Sequence, residues 1–183
     1  VLHTIDVDYN CASIEDRIED LHEAFRDQNV KAILSVIGGF NVNQILDYID
    51  YDLIKQNPKI ICGFSDITAL TNSIYAKTGL VTYSGPHFSS FGMKKGFDYT
   101  EEYFKKMLMQ KERIDIYSSE EWSNDSWFKN QENRKFIKND GTTIIHKGEA
   151  RRYNYWRKFM YFEFITRNKI YAGFTKLYFI YRR

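Results

Sequence analysis

The first half of the chain alternates between apolar residues at helical spacing and short, continuous apolar runs. Ser13 opens a capping pattern, and the apolar residues after it share one helical face, so we predict a helix that ends near Asp27. Residues 30–37 (VKAILSVI) form a β-branched run that stops at Gly38-Gly39, which is typical of a buried parallel strand. The first predicted elements are therefore a helix, a strand and a glycine turn.

The order of strand, tight turn and helix then repeats. We predict helices over residues 42–55 and 66–76 and strands over residues 59–62 and 80–83, with Gly or Pro near their ends. This order is typical of an α/β domain in which helices flank a parallel sheet. Ligands of such sheets bind beyond the carboxyl ends of the strands, where the predicted turns of this chain lie.

The chain changes character from Lys94 onwards. A helix is predicted over residues 99–109, and residues 114–141 are polar, aromatic and rich in turn-forming residues, which indicates a linker and loop. We therefore divide the chain into an N-terminal α/β domain over residues 1–93, a linker with the incomplete start of a second domain over residues 94–150, and a tail over residues 151–183.

Composition excludes several classes of protein. A length of 183 residues provides one core and part of a second. No apolar run approaches the roughly 20 residues that a membrane-spanning helix needs, so we expect no membrane span and no membrane partner. His, Cys and carboxylate residues do not cluster at metal-ligand spacing, so we predict no metal and no cofactor. The cysteines, Cys11 and Cys62, are expected to be idle thiols rather than a disulfide pair.

The net charge of +2 conceals a difference between the tail and the rest of the chain. Residues 151–183 contain nine Lys or Arg residues, one Glu and twelve aromatic residues, whereas residues 1–150 carry 17 basic and 23 acidic residues, a net charge of −6. Basic residues with interleaved aromatic rings are typical of nucleic-acid binding, because they pair with phosphates and stack on bases. We reject this interpretation and expect no nucleic-acid partner, because a shifted reading frame explains the tail, as described below.

Ser65 is the candidate nucleophile, because it lies between a predicted strand and a predicted helix in the run GFSD. Such a turn exposes the serine hydroxyl, and the N–H groups that follow it can stabilise an oxyanion. The run differs from GxSxG, and a helix cap formed by Ser65 or Asp66 is the alternative. Gly38-Gly39 would let the backbone approach a substrate at the end of a neighbouring strand, with an ordinary turn as its alternative.

The segment from Ser13 to Met93 (SIEDRIEDLHEAFRDQNVKAILSVIGGFNVNQ to LVTYSGPHFSSFGM) resembles the LD-carboxypeptidase family of serine peptidases, in particular its microcin-immunity branch, and the resemblance extends to Ala150. It implies a cytoplasmic hydrolase with a Rossmann-like or amidotransferase-like nucleophile domain, a second domain and a Ser, Glu and His triad. The implied substrate is a murein tetrapeptide, cleaved at the L,D-bond to its terminal D-alanine, or a microcin-like aminoacyl nucleotide. For the intact family, the resemblance leaves both a monomer and a homodimer as alternatives.

The resemblance also implies roles for individual residues of this chain. It matches Ser65 to the nucleophile and the backbone N–H groups of Gly38 and Asp66 to the oxyanion hole. The candidates for substrate binding are Gly39, Ser84, His87, Trp122 and Trp127. Local packing is the alternative for the two tryptophans, and for His87 we expect a turn or supporting role rather than that of general base.

The chain departs from the family after residue 150. The family's Glu and His follow a run resembling GTIIGGNLCTLNLLQGT, which is absent here. Back-translation of residues 152–183, read one nucleotide further on, can restore that run, so we hypothesise a frame shift near Arg151. The resemblance also implies a first strand and helix before Val1. We therefore expect an inactive, poorly soluble carboxypeptidase, with a non-catalytic binding remnant or a pseudogene product as the alternative.

Overall fold

A computed structural model describes residues 12–141, so the predicted tail and Cys11 lie outside the described residues. The helices of the described part are α1 (Ile14–Arg26), α2 (Tyr51–Gln56), α3 (Ile67–Thr78) and α4 (Asp98–Met109). Its strands are β1 (Ala32–Leu34), β2 (Ile60–Gly63), β3 (Tyr83–Ser84), β4 (Glu121–Trp122) and β5 (Ile137–Lys138). Short 3-10 helices lie at Val42–Gln44, Leu46–Tyr48 and Phe88–Gly92.

The strands β1, β2 and β3 form one parallel sheet with β2 in the centre. Ala32 pairs with Ile60 at the start of the β1–β2 ladder, and Gly63 pairs with Ser84 at the end of the β2–β3 ladder. The predicted α/β class, a parallel sheet flanked by helices, is confirmed. Because parallel strands end at the same edge of a sheet, the turns after these three strands lie side by side.

Two predicted strands are shorter than expected. The strand predicted over residues 30–37 reduces to β1, and the one predicted over residues 80–83 is observed as β3, which begins only at Tyr83 and includes Ser84. Beyond β1, the chain pairs with the loop that follows β3: the carbonyls of Ser35 and Val36 accept hydrogen bonds from the N–H groups of Phe88 (2.8 Å) and Ser89 (3.1 Å). This exchange of partners ends the ladder early and brings the loop after β3 against the end of β1.

Helix α1 has the predicted start and one buried face. The Ser13 Oγ accepts a hydrogen bond from the Asp16 N–H at 3.1 Å, which caps the helix. Leu21 and Phe25 of this helix enter the main core. The other core residues come from the segment after β1 and from α2, β2 and α3: Ile45, Leu46, Ile49, Ile54, Ile61, Ala69, Leu70 and Ile74. Removal of these side chains from water holds the helices against the sheet.

The single helix predicted over residues 42–55 is wrong. Two 3-10 turns occupy its first half, Ile49 is extended with a ψ of 130°, and α2 begins only after Asp50. The Asp50 carboxylate accepts the Leu53 N–H at 2.8 Å, and the Asp50 N–H donates to the His22 Nε2 at 2.9 Å. Asp50 therefore caps a separate helix, and its contact with His22 fixes the break.

The helices predicted over residues 66–76 and 99–109 are confirmed as α3 and α4. Gly79 ends α3 in the left-handed conformation, with a φ of 76°, and its N–H donates to the Tyr75 carbonyl at 2.8 Å. Cys62 of β2 is a buried free thiol, and burial raises its pKa to about 11.

The segment predicted as a loop over residues 114–141 contains the short antiparallel strands β4 and β5, with Glu121 opposite Lys138. Within residues 12–141, no helix is both long enough and apolar enough to cross a membrane. No group of three or more His, Cys, Asp or Glu residues in the same part of the chain is placed to hold a metal ion.

Protonation of His22 should destabilise this fold. Burial, and after it the charge of Arg26, lowers the pKa of His22 below 6.5, whereas Asp50 and Glu19 oppose the shift. Because the folded-state pKa lies below the unfolded-state value, this contribution to the free energy of unfolding is complete above pH 6.5 and is lost as the pH falls through the folded-state pKa.

Denaturant titrations from neutral pH to about pH 5 measure this loss. His22→Gln keeps a hydrogen-bond acceptor but cannot titrate in this range, so its stability should depend less on pH than that of the unsubstituted chain. An equal dependence in both proteins would contradict the prediction.

Candidate active site

Ser65 lies in a strained turn between β2 and α3. Its φ of 61° is the only positive φ of a residue other than glycine in the described part of the chain. The left-handed conformation costs an L-residue roughly 1–2 kcal/mol, and such strain collects at functional sites, including the turn that exposes a nucleophilic serine. The residue is half-buried, and its carbonyl accepts the Thr68 N–H of the first turn of α3 at 3.1 Å.

Gly38, in the turn after β1, packs directly against Ser65. A Cβ at position 38 would lie 3.0 Å from the Ser65 Cβ, 3.3 Å from its Oγ and 3.1 Å from the His87 Cε1. The structure therefore brings together three residues that the sequence placed at three different strand ends. The absence of a side chain at Gly38 is what allows its backbone to approach the serine hydroxyl.

Asp66 has a side-chain role that sequence reasoning missed. Its carboxylate is 1% exposed, and its Oδ2 accepts the N–H groups of Asn41 (2.8 Å) and Val42 (3.0 Å). The side chain does not cap α3, so the helix-cap alternative is wrong for this residue. The signal in the sequence was an acidic residue at the start of a helix, but that signal does not reveal that the carboxylate caps a different segment.

His87 packs against Phe64, the residue that precedes Ser65. Its ring stacks on that of Phe64, with ring centroids 3.9 Å apart, and its Nε2 lies 2.9 Å from the Phe64 carbonyl and 3.3 Å from the Phe64 N–H. Burial lowers the pKa of His87, and the hydrogen bond to the Phe64 carbonyl opposes that shift. The Nε2 of this buried imidazole is thus engaged by the backbone of the turn.

The other predicted site residues divide between two places. Gly39 adjoins Asp66, since a Cβ there would lie 3.3 Å from Oδ2, and Ser84 ends β3 beside Gly63. Trp122 is 42% exposed on β4. Trp127 packs near Gly92, 3.7 Å from the place of a Cβ, and edge-on against Phe128. Only the residues of the sheet edge therefore form one cluster with Ser65, and the tryptophans belong to the segment that contains β4 and β5.

This cluster offers a hydroxyl group beside backbone donors. The carboxyl ends of β1 and β2 supply Gly38 and Ser65, and the start of α3 supplies a partial positive charge that favours a developing anion. Several apolar side chains of the same turns are exposed around it: Val36, Ile37, Phe40, Phe64 and Phe88. The arrangement suits addition of a serine hydroxyl to a carbonyl group, with the resulting oxyanion held by main-chain N–H groups.

Residues 2–85 match the family described as LD-carboxypeptidase N-terminal domain. The "Putative carboxypeptidase YocD" of Bacillus subtilis (strain 168) is 59% identical over 143 residues, which cover 78% of this chain and 44% of that protein. The "Probable murein peptide carboxypeptidase" of the same strain is 41% identical over 105 residues, which cover 57% of this chain and 33% of that protein. The chain thus spans less than half the length of these relatives.

Solved structures match the described fold. An MccF-like protein from Bacillus anthracis str. Ames superposes with a TM-score of 0.78 and 61% identity, covering 79% of this chain and 44% of that one. The microcin C7 self immunity protein MccF in complex with aspartyl sulfamoyl adenosine superposes with a TM-score of 0.66 and 40% identity, covering 73% of this chain and 42% of that one. Both similarities extend over most of the present chain and less than half of the matched structure.

The strain at Ser65 can be measured with two substitutions that both remove the hydroxyl. Ser65→Gly should be more stable than Ser65→Ala by about 1 kcal/mol, because glycine adopts a positive φ without the Cβ penalty. Urea denaturation of the two variants checks the difference. A glycine variant that is no more stable than the alanine variant would show that the turn stores no strain.

Proposed function

Since this chain belongs to the LD-carboxypeptidase family, we propose that Ser65 is the nucleophile of an amide-hydrolysing site. The observation that carries the proposal is the strained turn at Ser65, with a φ of 61°, packed against Gly38. A serine held between a strand and a helix N-terminus presents its hydroxyl and the adjacent backbone donors to the same space.

The chemistry follows from these positions. The Ser65 Oγ attacks the amide carbonyl carbon, and its proton passes to a base and then to the leaving amine. The backbone N–H groups of Gly38 and Asp66 hold the oxygen of the tetrahedral intermediate, and water then cleaves the acyl-enzyme. His87 is assigned a supporting role, because its Nε2 is engaged by the backbone of Phe64.

We propose that this chain alone has little turnover. The resemblance assigns the base and its orienting carboxylate, a His and a Glu, to the part of the family after the run GTIIGGNLCTLNLLQGT, and residues 151–183 do not contain that run. Triad residues act as a unit, so a nucleophile without its base retains only a small part of the rate.

The proposed substrate class is a small amide that carries an amino-acid residue. A murein tetrapeptide cleaved before its terminal D-alanine is supported by the relative named as a murein peptide carboxypeptidase. An aminoacyl nucleotide is supported by the MccF structure that contains aspartyl sulfamoyl adenosine. Ser84 and Gly39 at the sheet edge are the proposed substrate contacts, with Trp122 and Trp127 as further candidates.

A non-catalytic binding domain is the second candidate function. It is favoured by the engagement of the His87 Nε2 with the backbone of Phe64, a contact that suits a supporting role for this imidazole better than that of a general base. Calorimetry with a murein tetrapeptide and with aspartyl sulfamoyl adenosine measures binding directly. Tight binding of either compound with no release of product would support this candidate over hydrolysis.

A fluorophosphonate probe tests the nucleophile. With the probe in excess, it should slowly add one phosphonyl group to Ser65, since this chain alone is proposed to lack the base. The addition is detected by mass spectrometry of the intact chain and of its peptides, and Ser65→Ala should abolish it. Release of D-alanine from a murein tetrapeptide should be very slow in this chain. Labelling at another residue, or turnover that persists in Ser65→Ala, would exclude the proposed mechanism.

The oxyanion role of Gly38 predicts a difference between two adjacent glycines. Gly38→Ala places a Cβ 3.0 Å from the Ser65 Cβ and should slow phosphonylation by roughly tenfold or more, because it displaces the donor from the serine. Gly39→Ala, whose Cβ would approach Asp66 rather than Ser65, is the matched control and should slow it less. An equal loss of phosphonylation rate in both variants would contradict the proposed oxyanion role of Gly38.

The boundary near residue 151 is also part of the proposal. The similarity to YocD covers 78% of this chain, so part of the chain lies outside the similarity, as the proposed boundary requires. The nucleotide sequence on both sides of this boundary decides the point. A frame shift requires that one single-nucleotide change restore the family run, and a gene in which no such change does so would rule it out.

A further inference from the structure

We propose that the Asp66 carboxylate is a positioning residue, which holds the glycine loop (residues 38–42) at the distance from Ser65 that oxyanion binding requires. The proposal rests on the assignment of Ser65 as the nucleophile. It adds a side-chain role that is separate from the oxyanion role of the Asp66 backbone N–H.

Asp66 joins two turns that are far apart in the sequence. Its Oδ2 accepts the N–H groups of Asn41 at 2.8 Å and Val42 at 3.0 Å, which are 25 and 24 residues away. The same oxygen would lie 3.3 Å from a Cβ at Gly39. The residue that immediately follows Ser65 is thus fastened to the loop that contains Gly38.

The burial of this carboxylate lowers the free energy of unfolding, which indicates that the residue has a role besides stability. Asp66 is 1% exposed, and within residues 12–141 its Oδ1 has no hydrogen-bond partner. A buried acceptor without a donor lowers stability, and the partial positive charge at the start of α3 offsets only part of this loss. A costly polar group that persists beside a strained turn points to a functional constraint.

That constraint is the distance between two donors on different chain segments. The N–H of Gly38 belongs to the loop after β1, and the N–H of Asp66 belongs to the turn before α3. Oxyanion stabilisation is effective only when such donors are in place before the charge develops. Without the carboxylate, the glycine loop can move away from Ser65 while the sheet and helices keep their packing.

Amide hydrogen exchange of the full chain, followed by NMR, measures the strength of the Asp66 hydrogen bonds independently of the reactivity of Ser65. Asp66→Ala should speed exchange at Asn41 and Val42 by roughly ten- to a hundredfold, the range expected for loss of a hydrogen bond to a charged group. Exchange at Ile74, a buried residue of α3, should stay within about twofold of its original rate, since the core of the fold persists.

Two further variants make the experiment specific. Asp66→Asn retains an acceptor oxygen without the charge, so exchange at Asn41 and Val42 should be faster than in the unsubstituted chain and slower than in Asp66→Ala. If Asp66→Ala does not fold, Asp66→Asn is the variant that tests the proposal. Asp50→Ala removes another carboxylate that caps a backbone N–H, that of Leu53 at 2.8 Å, and should leave exchange at Asn41 and Val42 unchanged.

Fluorophosphonate labelling of the same variants connects the contact to reactivity. Asp66→Ala should label Ser65 about tenfold more slowly than the unsubstituted chain, and Asp66→Asn should recover part of the rate. The proposal is overturned if exchange at Asn41 and Val42 is unchanged, if exchange at Ile74 rises equally, or if the loop is released and labelling keeps its rate. Failure of the unsubstituted chain to label at Ser65 would instead refute the nucleophile assignment, whatever the exchange data show.

Discussion

The packing of glycine backbone at the end of the parallel sheet is the constraint on which the site depends. A Cβ at Gly38 would lie 3.0 Å from that of Ser65, a Cβ at Gly63 would lie 2.3 Å from the Ser35 Oγ, and a Cβ at Gly85 would lie 2.6 Å from the Cys62 Sγ. Each turn at this edge therefore carries a glycine where another chain segment passes. The three strand ends can approach one another only because these positions lack side chains.

Two buried polar side chains hold the residues on either side of Ser65. His87 stacks on Phe64 and bonds its backbone, and Asp66 bonds the backbone at Asn41 and Val42. The strained serine thus lies between two anchored neighbours. Strain of this kind persists only where the surroundings over-determine the backbone, and these contacts provide that support.

Sequence patterns located the elements whose ends have local causes. The Ser13 cap begins α1, and Gly79 ends α3 in a conformation that suits glycine, so both helices were predicted close to their observed bounds. The helix predicted over residues 42–55 failed because Asp50 bonds His22, which is 28 residues away. The spacing of apolar residues carries no information about a contact between residues so far apart in the sequence. The early end of β1 has a similar cause, because the residues after it pair with the loop that follows β3.

By itself, the sequence determined the α/β class, the family resemblance and the identity of Ser65 and Gly38 as candidate site residues. Those features depend on local spacing and on runs of residues that can be compared directly. Only the tertiary structure showed that the Asp66 side chain accepts hydrogen bonds from the glycine loop and that the His87 ring stacks on Phe64. These contacts join residues 23 to 25 positions apart, so they exist only after the sheet has brought its strand ends together.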